Sequence, residues 1–262
     1  MFARLTERGW TVKPINYGDV IASEVFLEEC EQIVDILVGW SLEVEEHIIV
    51  RGGGKSKQTQ DLTVQFNNKH WVETAIEIQN KVSFSSEYPP DDTVAGSESH
   101  KIDHIIQNKE KKLIALEIEW NNKDEFYDRD FQAMRRFYEL DIIDLGIIIT
   151  RGPEIEDQLG RLISNYFYNA NINNKADFVK LSERLIDEDG EERFSFPTVK
   201  QTTAIDKKVK SGMPYYEAAA QVFKTNKYGT STTTWNQLNK RISRRDAGRT
   251  PMIFFGIPEL SI

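Results

Sequence analysis

The stretch ALEIEWNNKD, Ala115 to Asp124, sets Glu117 and Glu119 one residue apart in an apolar run that reads as a buried strand. Strand side chains alternate, so the two carboxylates share a face. Burying them is costly unless a cation compensates. Asp103 stands in the preceding apolar run, KIDHII, and only the turn QNKEKK separates the two runs. A twisted hairpin would bring Asp103 beside the glutamates. Three carboxylates gathered at a sheet edge raise one another's pKa unless a divalent cation sits among them, and Mg2+ fits, since it takes oxygen ligands and keeps waters. Water activated there, beside a carboxylate, is a nucleophile suited to a phosphodiester, and the ion neutralises charge building on the phosphate.

The elements that must hold these acids follow from periodicity. KIDHII, KKLIALEIEW and LGIIIT read as strands, and DEFYDRDFQAMRRFYELDII between the last two reads as a helix with Phe126, Phe131, Met134 and Phe137 inward. Such a helix serves as the crossover of a β-α-β unit and makes the strand after it parallel to the one before. VFLEECEQIVDILVGW, Val25 to Trp40, reads as an amphipathic helix. EVEEHIIV reads as strand-like and leads into Gly52-Gly53-Gly54, where Lys55, Ser56 and Lys57 stand beside backbone free to approach phosphate. KHWVETAIEIQNKVSF is a strand or a short helix, and SSEYPPDDTVAGSESH a polar loop. A helix follows Pro153, residues 171–203 show no usable periodicity, KSGMPYYEAAAQVFK is a loop entering a helix, and PMIFFGI is a last buried strand. The expected architecture is one α/β domain over 1–262 with its catalytic core at about 98–152.

With 39% hydrophobic and 29% charged residues the composition is that of a globular protein. No apolar run approaches a membrane span and the N-terminus lacks a signal peptide's apolar core, which predicts a cytoplasmic protein. One cysteine, Cys30, excludes an intrachain disulfide and a cysteine-clustered zinc site. The net charge of −9 argues against nucleic acid, but residues 201–262 carry ten Lys and Arg against four acids, +6, which leaves −15 on the rest. A chain so polarised can turn one basic face to a polyanion. The basic excursion at about 224–250 is the expected DNA-recognition segment: Lys227, Ser231, Thr232, Thr233, Arg241, Arg244 and Arg245 are candidate contacts, and arginine binds guanine bidentately.

The run HKIDHIIQNKEKKLIALEIEWNNKDEFYDRDF, then LGIIITRG, GMPYYEAA and GRTPMIFFGI, resembles the BglII, BstYI and BamHI group of type II restriction endonucleases, with the PD-(D/E)XK nuclease core. RGGGKSKQTQDL is similar to the group's early DNA-contacting segment. The resemblance implies a mixed central sheet flanked by helices. It implies that Asp103 and Glu117 bind the metal with the backbone carbonyl of Ile118, and that Glu119 orients or deprotonates the attacking water. Glutamate at that position is the BamHI-like choice; a glutamine could only position the water. The implied protein is a homodimer that needs one or two Mg2+ ions, cuts double-stranded DNA at a short palindrome, works beside a DNA methyltransferase and resides in a bacterial or archaeal cytoplasm.

Other readings stand beside this one. Glu77 and Gln79 with Asp61 upstream form a rival acidic set, and Glu73 or Glu77 is a candidate fourth acid near the metal. The structural alternative is a buried ionic network of Glu117 and Glu119 with Lys101, Lys123 or Arg129, which leaves the placing of Asp103 as coincidence. Asn121 and Asn122 suit phosphate or base edges, and also turns. A repair or nicking nuclease on the same core, and a DNA-binding protein that cuts nothing, are the functional alternatives.

Overall fold

The computed structural model describes residues 1–50, 56–82, 93–186 and 194–259. Six strands form one mixed sheet: β1 (Thr11–Ile15), β2 (Val72–Val82), β3 (Thr93–Gln107), β4 (Leu113–Glu119), β5 (Leu145–Arg151) and β6 (Met252–Ile257), in the order β1-β6-β5-β4-β3-β2. The central strands β4, β5 and β6 run parallel, and β2, β3 and β1 complete the edges antiparallel. The helices among the described residues are α1 (Ala3–Glu7), α2 (Gly18–Glu24), α3 (Leu27–Gly39), α4 (Lys57–Asn67), α5 (Glu125–Glu139), α6 (Pro153–Asn169), α7 (Lys175–Arg184), α8 (Val199–Lys210), α9 (Tyr215–Lys227) and α10 (Trp235–Arg244), with a π-helical turn at Val44–Ile48. This is the mixed, helix-flanked α/β sheet expected of a restriction endonuclease.

Alternation along β4 sorts its side chains between two cores. Ile114, Leu116 and Ile118 enter the larger cluster with α3, α4, α6 and α9, while Ala115 faces the smaller one with Phe131, Met134 and Phe137 of α5. Glu117 and Glu119 therefore point to the α5 side. The crossover packs closely: a Cβ on Gly146 of β5 would stand 2.8 Å from the sulfur of Met134. Glycine there leaves room for the Met134 side chain against the strand.

Four local expectations need correction. Residues 44–48, read as strand-like, form the π-helical turn, whose last carbonyls are capped by α9: Lys227 Nζ and Tyr228 Oη donate to Ile48 O at 2.9 and 2.8 Å. The polar loop ends earlier than its composition implies, since residues from Thr93 onward belong to β3 and pair with β2. Its Ser-rich sequence lacks the apolar alternation that marks a strand because one neighbour, β2, is an exposed edge. Phe126 is half-buried under the Arg129 guanidinium, 4.3 Å from its ring, and Tyr127 takes the inner position on α5. The unassigned 171–203 contains α7 and the start of α8, each opened by a capping box, Asn174 with Asp177 and Thr198 with Gln201. Phe178, Phe194 and Phe196 there join Phe167 and Phe223 in an aromatic cluster.

Candidate active site

The hairpin register places the acids. His104 pairs with Leu116 and Ile105 with Ala115. One step further the side chains take over: the Asp103 N–H donates to Glu117 Oε2 at 3.2 Å, and the Ile118 N–H donates to Asp103 Oδ2 at 3.0 Å. Asp103 and Glu117 are thus locked to one another through backbone. On the other side Glu119 is fixed through its own carbonyl, which accepts from Thr150 Oγ1 at 2.6 Å, while Thr150 is held by Tyr127 Oη at 2.6 Å. Asn122 Nδ2 donates to Glu119 Oε2 at 2.7 Å.

Two further residues join them. Asp130 on α5 is fully buried, and its Oδ1 accepts two bonds from Arg129, at 2.8 and 3.0 Å. His100 on β3 puts Nε2 3.0 Å from Glu117 Oε1 and 3.9 Å from Asp130 Oδ1. Sequence reasoning placed neither at the site. A signal for Asp130 existed, since it sits at an inner helical position between Tyr127, Phe131 and Met134, where a carboxylate is out of place.

Burial drives the electrostatics. Glu117, at 2% exposure, has its pKa pushed well above the carboxyl range by desolvation, then by the charges of Asp130 and Asp103. Glu119 is raised by burial and Asp130, against the opposing pull of Asn122 and Arg129. Burial lifts Asp130 to about 6 despite Arg129. Burial, then the Arg129 charge, depresses His100 to about 4, so its ring is neutral. The cation that the chain brings to these acids is Arg129, 3.7 Å from Glu119 Oε1. Asp130 Oδ2 is buried without a hydrogen-bond donor. Buried carboxylates in excess of cations, with an orphaned oxygen among them, fit a hard divalent ion.

These acids floor a cleft of about 560 Å3 lined by Asp103, Glu117, Ile118, Glu119, Asn121 and Asn122, and also by Ser56, Lys57, Lys101, Arg129 and Lys227. The structure thus gathers most of the expected residues into one place. Lys57 pairs with Asp61 at 2.8 Å, and Lys101 with Glu73 at 2.9 Å. Burial takes Lys227 down to about 7. Lys55 and Gly52–Gly54 lie outside the described residues. The rival acids are not gathered: Glu77 is exposed on β2, bonded to Gln79 at 3.2 Å, while Asp61 pairs with His47 and Lys57. Glu73 does line the cleft. Of the three basic partners weighed for an ionic network, Arg129 is the one in contact with Glu119.

The other expected DNA contacts sit apart from the cleft. Ser231, Thr232 and Thr233 form a loop zipped to the end of β4: the Asp124 N–H donates to Ser231 O at 3.0 Å and the Thr233 N–H to Asn122 O at 2.8 Å. Arg151, wholly buried, anchors this loop through Thr232 Oγ1 at 2.8 Å and the Thr233 carbonyl at 3.1 Å. Thr233 is buried. Arg241 is buried too, paired with Asp128 at 2.7 Å and Asp124 at 3.3 Å, and Arg244 pairs with Asp128 and Asp246 at 2.9 and 2.7 Å. Arg245 is exposed at the left-handed C-cap of α10. Charge in this stretch is largely spent within the chain.

Among the described residues no helix is long and apolar enough to cross a membrane. No curated protein matches the chain significantly. The model of the family described as restriction endonuclease BglII/BglIII matches residues 10–257, nearly the whole length and every element from β1 to β6. With that coverage the chain belongs to the BglII/BglIII restriction endonuclease family.

Proposed function

We propose that the protein is a Mg2+-dependent type II restriction endonuclease that hydrolyses both strands of duplex DNA at a short palindrome, acting as a homodimer. The observation that carries this reading is the convergence, in one cleft of a restriction endonuclease family chain, of Asp103, Glu117 and Glu119 with Lys57, Lys101 and Arg129. Asp103, Glu117 and the backbone carbonyl of Ile118 would hold the metal, one or two ions. When bound, Mg2+ supplies charge neutralisation at the scissile phosphate and acidifies water.

The chain's own groups do the rest. Glu119 is the general base: burial and Asp130 raise its proton affinity, and Asn122 fixes its carboxylate to receive a proton. Lys57 and Lys101 hold the phosphate backbone; Ser56, Asn121, Asn122 and the exposed Ser231 complete the contact, with Lys55 beside them in sequence. Arg245 is exposed and can reach a base edge, whereas Arg244 is held by Asp128 and Asp246 and Arg241 serves by holding α10 to α5. A palindrome needs two centres related by its own twofold, hence the dimer. A methyltransferase of the same specificity would protect the host DNA.

The test is to incubate the purified protein with unmethylated phage DNA, with and without Mg2+, beside Glu117→Ala. Discrete fragments that need both Mg2+ and Glu117 are expected, and their ends give the site. Intact DNA on substrates bearing every short palindrome would overturn the reading.

A further inference from the structure

The carboxylates of the cleft have a second side. Beside Glu117, His100 and Asp130 form a cluster that the hydrolytic reading leaves unused. His100 also lines a groove of about 520 Å3 between β3 and α5, bounded by Glu98, Gln132 and Phe137.

One ligand atom each from His100, Glu117 and Asp130 lie within 4.8 Å of one another, the one such three-ligand group among the described residues. The separation of His100 Nε2 from Glu117 Oε1 is 3.0 Å and from Asp130 Oδ1, the oxygen that Arg129 also bonds, 3.9 Å. Donors on one ion with bonds of about 2.1 Å are spaced by about 3.0 Å when adjacent and about 4.2 Å when opposite. Both distances fall in that interval, and the third is no more than 4.8 Å.

The hydrogen bond between His100 and Glu117 needs no ion to explain it. Asp130 does need something. Its Oδ2 is fully buried without a donor, and the neighbouring Glu119 carboxylate can satisfy it only through a shared proton. A cation would serve both at once. We propose that His100, Glu117 and Asp130 form a second cation site that prefers an imidazole-seeking ion, Co2+ or Zn2+, to Mg2+. It shares Glu117 with the hydrolytic ion and so rests on the proposed function at that one residue. The preference follows from the nitrogen donor, because imidazole suits such ions while an all-oxygen set suits Mg2+.

The test titrates the metal-free, full-length protein with Co2+ in the presence of excess Mg2+, counting ions by equilibrium dialysis and recording the paramagnetically shifted proton spectrum. One Co2+ per chain should resist Mg2+ and carry a shifted, exchangeable imidazole N–H signal. Both should be lost in His100→Gln and weakened at least tenfold in Asp130→Asn, with thermal unfolding checking that each variant folds; Asp103→Asn should keep the signal. Co2+ binding without an imidazole signal, or a signal that survives His100→Gln, overturns the site. Should a variant fail to fold, the wild-type spectrum still decides: a shifted imidazole signal that resists Mg2+ supports the site, and its absence overturns it. A separate cleavage assay in Mg2+ alone distinguishes the two claims. DNA cut by a protein without the imidazole signal sinks only the second site, and the signal in a protein that cuts nothing sinks only the nuclease.

Discussion

At the α5 side of β4, Glu117, Glu119 and Asp130 are each exposed by 2% or less, and the guanidinium brought to them, Arg129, is itself half outside. Across α5, the charges of α10 meet the reverse treatment: Arg241 is buried to 5% exposure, but between Asp124 and Asp128, which hold it with geometry close enough to lower the Asp128 pKa, first by the Arg241 hydrogen bond. One region buries charge of one sign and leaves the balance open. The other closes its balance internally. The contrast teaches that a count of charges along a sequence locates neither a site nor a face; what locates it is whether the fold supplies the partner.

The sharpest way to break the comparison is to neutralise each region in turn. Glu117→Gln should lower Mg2+-dependent cleavage by on the order of 10^3 or more, because the lost ion contributes several kcal/mol of transition-state stabilisation. The same change removes a buried charge, so the metal-free variant should unfold at a higher temperature than the wild type. Gel assays of cleavage and a thermal scan check the pair. A variant that is both inactive and destabilised would mean that Glu117 is a structural partner, as Arg241 is.

Arg241→Ala should do the opposite. It leaves Asp124 without its cation and Asp128 with Arg244 alone, and breaking such a buried pair costs about 3–5 kcal/mol. Urea unfolding should show the loss with an unchanged m-value. A cost below about 1 kcal/mol would place Arg241 with ordinary surface pairs.

The open balance also predicts a pH dependence. Asp130 has a folded-state pKa of about 6 against an ordinary 3.8, so between those values the folded chain binds more protons than the unfolded one. The stability associated with it is present at low pH and lost as pH rises through about 6. The metal-free protein should therefore lose on the order of 1–3 kcal/mol across this window through Asp130, a slope that Asp130→Asn flattens and a divalent cation at neutral pH offsets. Thermal unfolding between pH 4 and pH 7, with and without metal, measures it. A flat profile in metal-free wild type would mean that Arg129 already compensates the corner.

How much of this was legible in the sequence divides along the same line. The hairpin, the crossover helix and the parallel strands are written in local periodicity, and Glu117 and Glu119 announce themselves because charge interrupts an apolar strand. The first half of β3 is invisible, since its Ser-rich residues pair with an exposed edge and carry no apolar alternation. His100 lies in that half, so its approach to Glu117 could not be foreseen. Arg241 misleads for a related reason: its partners Asp124 and Asp128 stand more than a hundred residues earlier, and only tertiary packing brings them to it.

The smallest effect discriminates most finely. Lys57 is exposed on the cleft rim and, among the described residues, pairs with Asp61, four residues along α4, an interaction worth less than about 1 kcal/mol. A DNA phosphate can recruit it at little cost. Arg244 is equally exposed, yet Asp128 and Asp246 both hold it, so recruitment means breaking two pairs. In Ca2+, which supports binding without requiring cleavage, Lys57→Ala should reduce the slope of log K against log salt by about one and weaken binding uniformly across sequences. Arg244→Ala should leave that slope unchanged within error. Equal reductions would show that DNA frees Arg244 from its acids and that the basic stretch opens on binding.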